Sequence, residues 1–253
     1  MTAKRLIARL DIKGPHVVRG VHLEGLRVVG TPDDLVSRYA AAGIDELLFI
    51  DTVASLYGRN NTRSVVERTA QAAFIPLTVG GGVRTLQDVD ELLRAGADRV
   101  AVNSAAVRNP ALVTDIARSF GSQCVVAAID AKRRPGGGWD VLIDNAREAT
   151  GRDALEWARE VVDRGAGEVL LTSVDADGLK QGCDLNLTRA VAGASCAPVV
   201  ASGGPGTTNH VVEAFVEGKA DGVALGSLLH FQLATVADIR RAMAQAELPI
   251  RMW

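Results

Sequence analysis

The sequence predicts an α/β protein: a closed (β/α)₈ barrel of the TIM-barrel class, built from two repeated half-barrels and spanning 1–253 as one domain. Three observations predict it. Eight short apolar runs alternate with amphipathic segments, a length of 253 residues suits one such barrel, and the second half of the chain echoes the first.

The strand candidates are 5–10, 46–50, 75–79, 99–102, 124–129, 168–173, 198–201 and 222–225, all rich in Val, Ile, Leu and Ala. Past their first residues they read as mostly continuous apolar runs rather than in/out alternation, as strands covered on both faces should. Between them, 32–42, 86–95, 153–164 and 208–218 read as amphipathic helices. Gly43, Gly96, Gly165 and Gly218 stand where left-handed C-caps are wanted. No Pro- or Ser-rich linker divides the chain, which favours closure into one barrel over an open doubly wound sheet.

Four landmarks recur in order. Ala8-Arg-Leu-Asp11 matches Ala127-Ala-Ile-Asp130, and the Gly-led run at Gly43 matches that at Gly165. Val79-Gly-Gly-Gly82 matches Ala201-Ser-Gly-Gly204, and Ala95-Gly-Ala-Asp98 through Asn103-Ser104 matches 218–227. Strands one to four therefore repeat as strands five to eight.

In such a barrel, chemistry sits at the C-terminal ends of the strands, and phosphate binds between the loops after strands seven and eight. Those loops carry Gly203 and Gly204, then Gly226 and Ser227 at the expected start of a short helix. Small residues let backbone N–H groups close on an anion, and a helix N-terminus favours negative charge. The repeat predicts a second cradle half a turn away, from Gly81, Gly82, Asn103 and Ser104. Two cradles imply a small-molecule substrate with a phosphate at each end.

Asp11 and Asp130 end strands one and five, between the cradles, where two carboxyls on opposite faces of a substrate suit general acid and general base catalysis. Asp51, Asp175 and Asp177, with Gly178, follow other strands and are expected to bind hydroxyls or shape loops. Thr172 and Ser202 are expected substrate contacts. At the opposite face, Arg5, Glu46, Arg99 and Glu168 begin strands one, two, four and six. They would close the floor with a ring of ion pairs, a gate through which something passes.

Composition narrows the partners. Lys+Arg is 28 against Asp+Glu 30, a net charge of −2, so no overall basic excess for nucleic acid exists. Cys124, Cys183 and Cys196 show no CxxC spacing and the four histidines no metal spacing, so neither a disulfide framework, a metal nor a cofactor is expected. No apolar run reaches the roughly 20 residues of a membrane span, and no signal segment precedes the first strand. The expected setting is cytoplasmic. The Gly-rich stretches lack the dinucleotide and Walker patterns, and no nucleophile elbow is evident. His16 and His22 fall in an expected mobile loop, and Trp139 in a hairpin-like insertion after strand five.

Lys4-Arg-Leu-Ile-Ala-Arg-Leu-Asp-Ile-Lys13, Val17-Val-Arg-Gly20, Val79-Gly-Gly-Gly82, Asn103-Ser-Ala-Ala106, Phe120-Gly-Ser-Gln123, Ala128-Ile-Asp-Ala-Lys-Arg133, Gly165 to Ser173 and Ala201-Ser-Gly-Gly204 resemble, over nearly the whole chain, the cyclase subunit of imidazole glycerol phosphate synthase (HisF-type). The resemblance implies a lyase of histidine biosynthesis that works as a heterodimer. Ammonia from a glutaminase subunit docked at the N-terminal barrel face would cross the Arg5–Glu46–Arg99–Glu168 gate and attack a ribulosyl aminoimidazole carboxamide nucleotide. The products would be imidazole glycerol phosphate and a carboxamide ribotide. Asp11 and Asp130 would be the acid/base pair, the two cradles would hold the phosphates, and Arg19 would take the place of the family's mobile-loop lysine.

The chain departs from the family's pattern at four places. Arg9 stands where a small residue or Cys is usual, Arg19 replaces Lys, the loop at 26–32 lacks an acid, and Val53 replaces Thr. The 56–61 segment resembles a paralogous branch that relays ammonia for amidation of a sugar nucleotide in surface-polysaccharide pathways. That function, and the related phosphoribosyl isomerase, remain alternatives at this stage.

Overall fold

A computed structural model describes residues 3–53 and 63–251, and the segment at 56–61 lies outside them. Among the described residues twelve strands, numbered in chain order, share one sheet. Eight of them, β1 (Arg5–Lys13), β4 (Glu46–Asp51), β5 (Leu77–Gly80), β6 (Arg99–Val102), β7 (Val125–Arg133), β10 (Glu168–Ser173), β11 (Val199–Ser202) and β12 (Gly222–Leu225), are parallel and close on themselves. The ring runs β1-β4-β5-β6-β7-β10-β11-β12 and returns to β1, so β1 and β7 stand opposite each other.

Each expected strand forms, but β1 and β7 run past their apolar stretches. Beyond the rim each turns back into an antiparallel hairpin, β2 (His16–Val21) with β3 (Glu24–Gly30), and β8 (Trp139–Ile143) with β9 (Glu148–Asp153). A hairpin thus follows each of the two matched strands, so the fold is doubled here as well. The expected loop carrying His16 and His22 is the first of them. His22 hydrogen-bonds through Nδ1 to the Val174 carbonyl at 2.7 Å, and Leu23 is buried.

The helices begin on side chains that can satisfy free N–H groups. Thr85 and Thr235 make reciprocal capping boxes with Asp88 and Asp238, while Asp153, Asp184 and Thr207 cap Ala154–Asp163, Leu185–Ala194 and Thr208–Val216. Gly43, Gly96 and Gly165 take positive φ at the expected helix ends. Gly218 does not. The left-handed residue there is Lys219, at φ 60°, and a side chain on Gly218 would meet the Ala214 carbonyl.

The core has two parts. One lies between strands and helices, with Trp157, Phe49, Leu92 and Ile116 among its fully buried members. The other fills the lumen with Ile7, Leu48, Ala101, Val126, Leu170, Val200 and Ala224. The residues two places earlier on β1 and β6 are Arg5 and Arg99, so the lumen rests directly on the charged floor.

Candidate active site

The floor forms the ring expected of it. Arg5 donates to Glu46 at 2.9 Å and also to Glu168; Arg99 pairs with Glu46 at 2.8 Å and also with Glu168. Each residue touches two of opposite sign. Charge therefore cancels around the ring, and the two glutamates can be buried without an unpaired carboxylate.

At the other end, Asp11 is buried between two guanidinium groups. Oδ1 accepts from Arg9 Nε at 2.9 Å and Oδ2 from Arg19 Nη1 at 2.7 Å. Burial alone would raise its pKa, but Arg9 and Arg19 outweigh it and hold the group below the ordinary carboxylate range. Asp130, on the opposite strand, keeps partial exposure to a cavity and accepts from Asn103 Nδ2 at 2.9 Å. Burial pushes it up to about 6 against the pull of Arg9, with Asp177 and Asp11 adding to the rise. Equivalent positions in the two halves thus carry carboxyls of unlike proton affinity.

The two cradles are also unequal. The first opens on a cavity of about 290 Å³ lined by Asp51, Gly81, Gly82, Asn103, Ser104 and Asp130, with Thr172 on its far wall. Gly81 sits at φ 95°, and a Cβ there would come within 2.3 Å of the Asp51 carbonyl oxygen, so the turn tolerates no side chain. Ser104 Oγ accepts from the Asp144 N–H of the second hairpin at 2.9 Å. Asp51 accepts from the Val53 N–H at 3.0 Å.

The second cradle, walled by Gly178, Gly203, Gly204, Gly226 and Ser227, encloses only about 10 Å³. Arg19 packs against this wall. Its Nε donates to Ser227 Oγ at 3.1 Å, its Nη2 reaches Asp177, and a Cβ on Gly226 would touch the guanidinium at 3.2 Å. Asp177 also anchors the hairpin: its side chain accepts from the Leu23 N–H and its carbonyl from the His22 N–H. Asp175 lies apart, accepting from the Arg133 N–H.

Arg9 points into the lumen, not to the outer wall. Its Nη1 donates to Thr172 Oγ1 at 3.0 Å and Ser202 Oγ at 2.9 Å, which occupies both expected substrate contacts. Two cationic walls went unread in the sequence. Arg84 and Arg108 line the first cavity and Lys180 the second cradle. Arg84 follows Gly82 by two residues and Lys180 follows Gly178 by two, a spacing that could have marked both. Among the described residues, no cluster that could hold a metal occurs, and no helix is long and apolar enough to cross a membrane.

The sequence model of the family described as histidine biosynthesis protein matches residues 5–235. Curated relatives include three proteins each named imidazole glycerol phosphate synthase subunit HisF. The Legionella pneumophila protein is 57% identical over 206 residues, covering 81% of this chain and 97% of its own length. That of Myxococcus xanthus is 54% identical over 251 residues, 99% of each chain. A Nostoc protein is 49% identical over 256 residues, covering 100% of this chain and 99% of its own.

Proposed function

The chain belongs to the histidine biosynthesis protein family, and from that membership we infer that it works as the cyclase subunit of imidazole glycerol phosphate synthase. It is then a lyase of histidine biosynthesis and one subunit of a complex. The reading takes the partner to be a glutaminase docked at the N-terminal barrel face, and the substrate to be the ribulosyl aminoimidazole carboxamide nucleotide with a phosphate at each end.

One observation carries the assignment of roles: Asp11 and Asp130 lie toward the C-terminal ends of opposite strands, at the mouth, in environments that push their proton affinities apart. Adding ammonia to a carbonyl, losing water and expelling an amine leaving group require a proton donor and an acceptor on the two faces of the substrate. Asp130, which keeps its proton up to about 6, is the donor. Asp11, held as carboxylate, is the acceptor once one oxygen is released by Arg19. A substrate phosphate entering the second cradle competes with Asp11 and Asp177 for that guanidinium, which already touches Ser227. Binding of the remote phosphate would thereby free the base.

The first phosphate sits against Gly82, Asn103 and Ser104, with Arg84 and Arg108 nearby. Ammonia enters through the floor ring and rises through the apolar lumen to the cavity beside Asp130. The experiment is turnover of the nucleotide with ammonium salt alone, in the parent, Asp11→Asn and Asp130→Asn. Loss of turnover in both variants of an active parent supports the pair.

A second reading has one observation in its favour. Arg9 binds Asp11, Thr172 and Ser202 at once, which fits a barrel that conducts ammonia to a sugar-nucleotide amidating enzyme and does little chemistry at its own mouth. An inactive parent in the same assay supports that reading.

A further inference from the structure

We propose that Arg9 is a positioning residue for the acid–base pair: it fixes the Asp11 carboxylate, ties it across the lumen to Thr172 and Ser202, and confines the open cavity to the Asp130 side. The inference rests on the roles given above to Asp11 and Asp130. It starts from the internal repeat. Ala8-Arg-Leu-Asp11 aligns with Ala127-Ala-Ile-Asp130, so the counterpart of Arg9 is Ala128. Both side chains point into the lumen two residues before an aspartate, because alternate residues of a strand share a face. Ala128 forms part of the cavity wall and leaves the space beside it open, whereas Arg9 fills the space under Asp11 with a side chain that is 5% exposed. This residue pair adds to the inequality of the two halves of the mouth.

The site around Arg9 is built from several elements. The guanidinium makes three hydrogen bonds, to Asp11, Thr172 and Ser202, on β1, β10 and β11. Pairing of β1 with β12 stops at Ala8 and Leu225, and one residue on, the Arg9 carbonyl accepts from His230 Nε2 at 3.0 Å. Burial, with Arg19 nearby, lowers the pKa of His230 to about 4, so the ring is neutral. A carbonyl can only accept, so Nε2 carries the hydrogen, and Nδ1 accepts from the Tyr39 hydroxyl at 2.6 Å. Tyr39 and His230 thereby hold the Arg9 backbone while three side chains hold its head.

The charged groups facing Arg9 are Asp11 on its own strand, Asp130 on β7, Asp177 after β10 and Arg19 from the first hairpin; the titratable His230, from the short helix Ser227–His230, faces it as a neutral ring. Both catalytic carboxyls feel the Arg9 charge, and in both it favours the ionised form. Removing it must let both rise.

The test follows ammonium-driven turnover against pH at fixed free ammonia in the parent, Arg9→Met and Arg9→Lys. Carbon NMR titrates Asp11 and Asp130 in the same three proteins. In Arg9→Met, both limbs of the profile move up by about one pH unit, the usual effect of removing one neighbouring charge. Lysine keeps the charge but cannot hold Asp11, Thr172 and Ser202 together, and its limbs move by about half as much. Superimposable profiles in the three proteins overturn the proposal. If none of them turns over, the functional reading fails separately and the carboxyl titrations judge Arg9: upward movement supports it, unmoved titrations overturn it. If Arg9→Met does not fold, Arg9→Lys decides by the same criteria.

Discussion

Arg19 Nη1 lies 2.7 Å from Asp11 Oδ2, although the arginine comes from a hairpin outside the barrel and the aspartate from the end of a barrel strand. The same guanidinium reaches Asp177 and Ser227. Arg9, Asp11, Arg19 and Asp177 thus form an alternating chain of charges, all buried, that joins the lumen to the hairpin. Such a chain is stable only while complete, because each member left without a partner is an uncompensated charge in a low-dielectric site.

Asp11→Asn breaks the chain at its centre and leaves two buried guanidinium groups short of one counter-charge. The expected cost is about 3 kcal/mol, read from urea midpoints near neutral pH. The Asp11 pKa is depressed in the folded protein, so its contribution is full above the ordinary carboxylate value. It is lost as pH falls through the folded value. The gap between parent and variant should therefore close in acid.

Asp130→Asn should behave oppositely. The folded protein binds this proton up to about 6, the unfolded chain only to about 3.9, so stability falls as pH rises between those values and stays lowered above them. Asparagine removes the penalty. Because the carboxyl faces the cavity and is partly solvated, we expect a gain of about 1 kcal/mol near neutral pH and little difference in mild acid. Denaturant midpoints at the two pH values read both terms.

Two glycine substitutions separate site from scaffold. A Cβ on Gly204 would lie 1.9 Å from the Gly182 carbonyl oxygen, at φ 111°, so Gly204→Ala must distort the second cradle. It should destabilise by more than about 2 kcal/mol and raise KM for the nucleotide. Gly193 lies within the helix Leu185–Ala194 with open space around it, and Gly193→Ala should stabilise by about 0.5 kcal/mol without touching KM. Thermal melts and steady-state kinetics on the pair distinguish the effects.

Glu168→Gln tests the floor. Arg5 and Arg99 both lose a carboxylate and keep only Glu46, so the ring carries an uncompensated positive charge. The arginines are partly exposed, which limits the expected cost to about 1–2 kcal/mol in the thermal midpoint. Turnover driven by external ammonium should change little, since that ammonia can enter at the open mouth.

Much of this arrangement was legible in the sequence because it repeats. The matched Asp11 and Asp130, the paired glycines and the alternating charges at strand starts each fixed a position around the ring, and parallel-strand geometry fixed the direction of the side chains. The hairpins after β1 and β7 were less legible. Their exposed strands, such as Glu24–Gly30, carry little apolar patterning, and what holds the first one is a set of long-range polar contacts: Arg19 on Asp11 and Asp177, and the His22 and Leu23 N–H groups on Asp177. Arg9 shows the same limit. Its departure from a small residue was plain, but whether it turned inward depended on hydroxyls more than 160 positions away, Thr172 and Ser202.

The most direct measurement is turnover of the bisphosphorylated ribulosyl nucleotide with ammonium salt and no glutaminase, in the parent, Asp11→Asn and Asp130→Asn. A cyclase with this acid–base pair consumes the nucleotide, and each substitution lowers kcat by at least about a hundredfold. A folded parent that leaves the nucleotide untouched, or an Asp130→Asn variant as fast as the parent, contradicts the account.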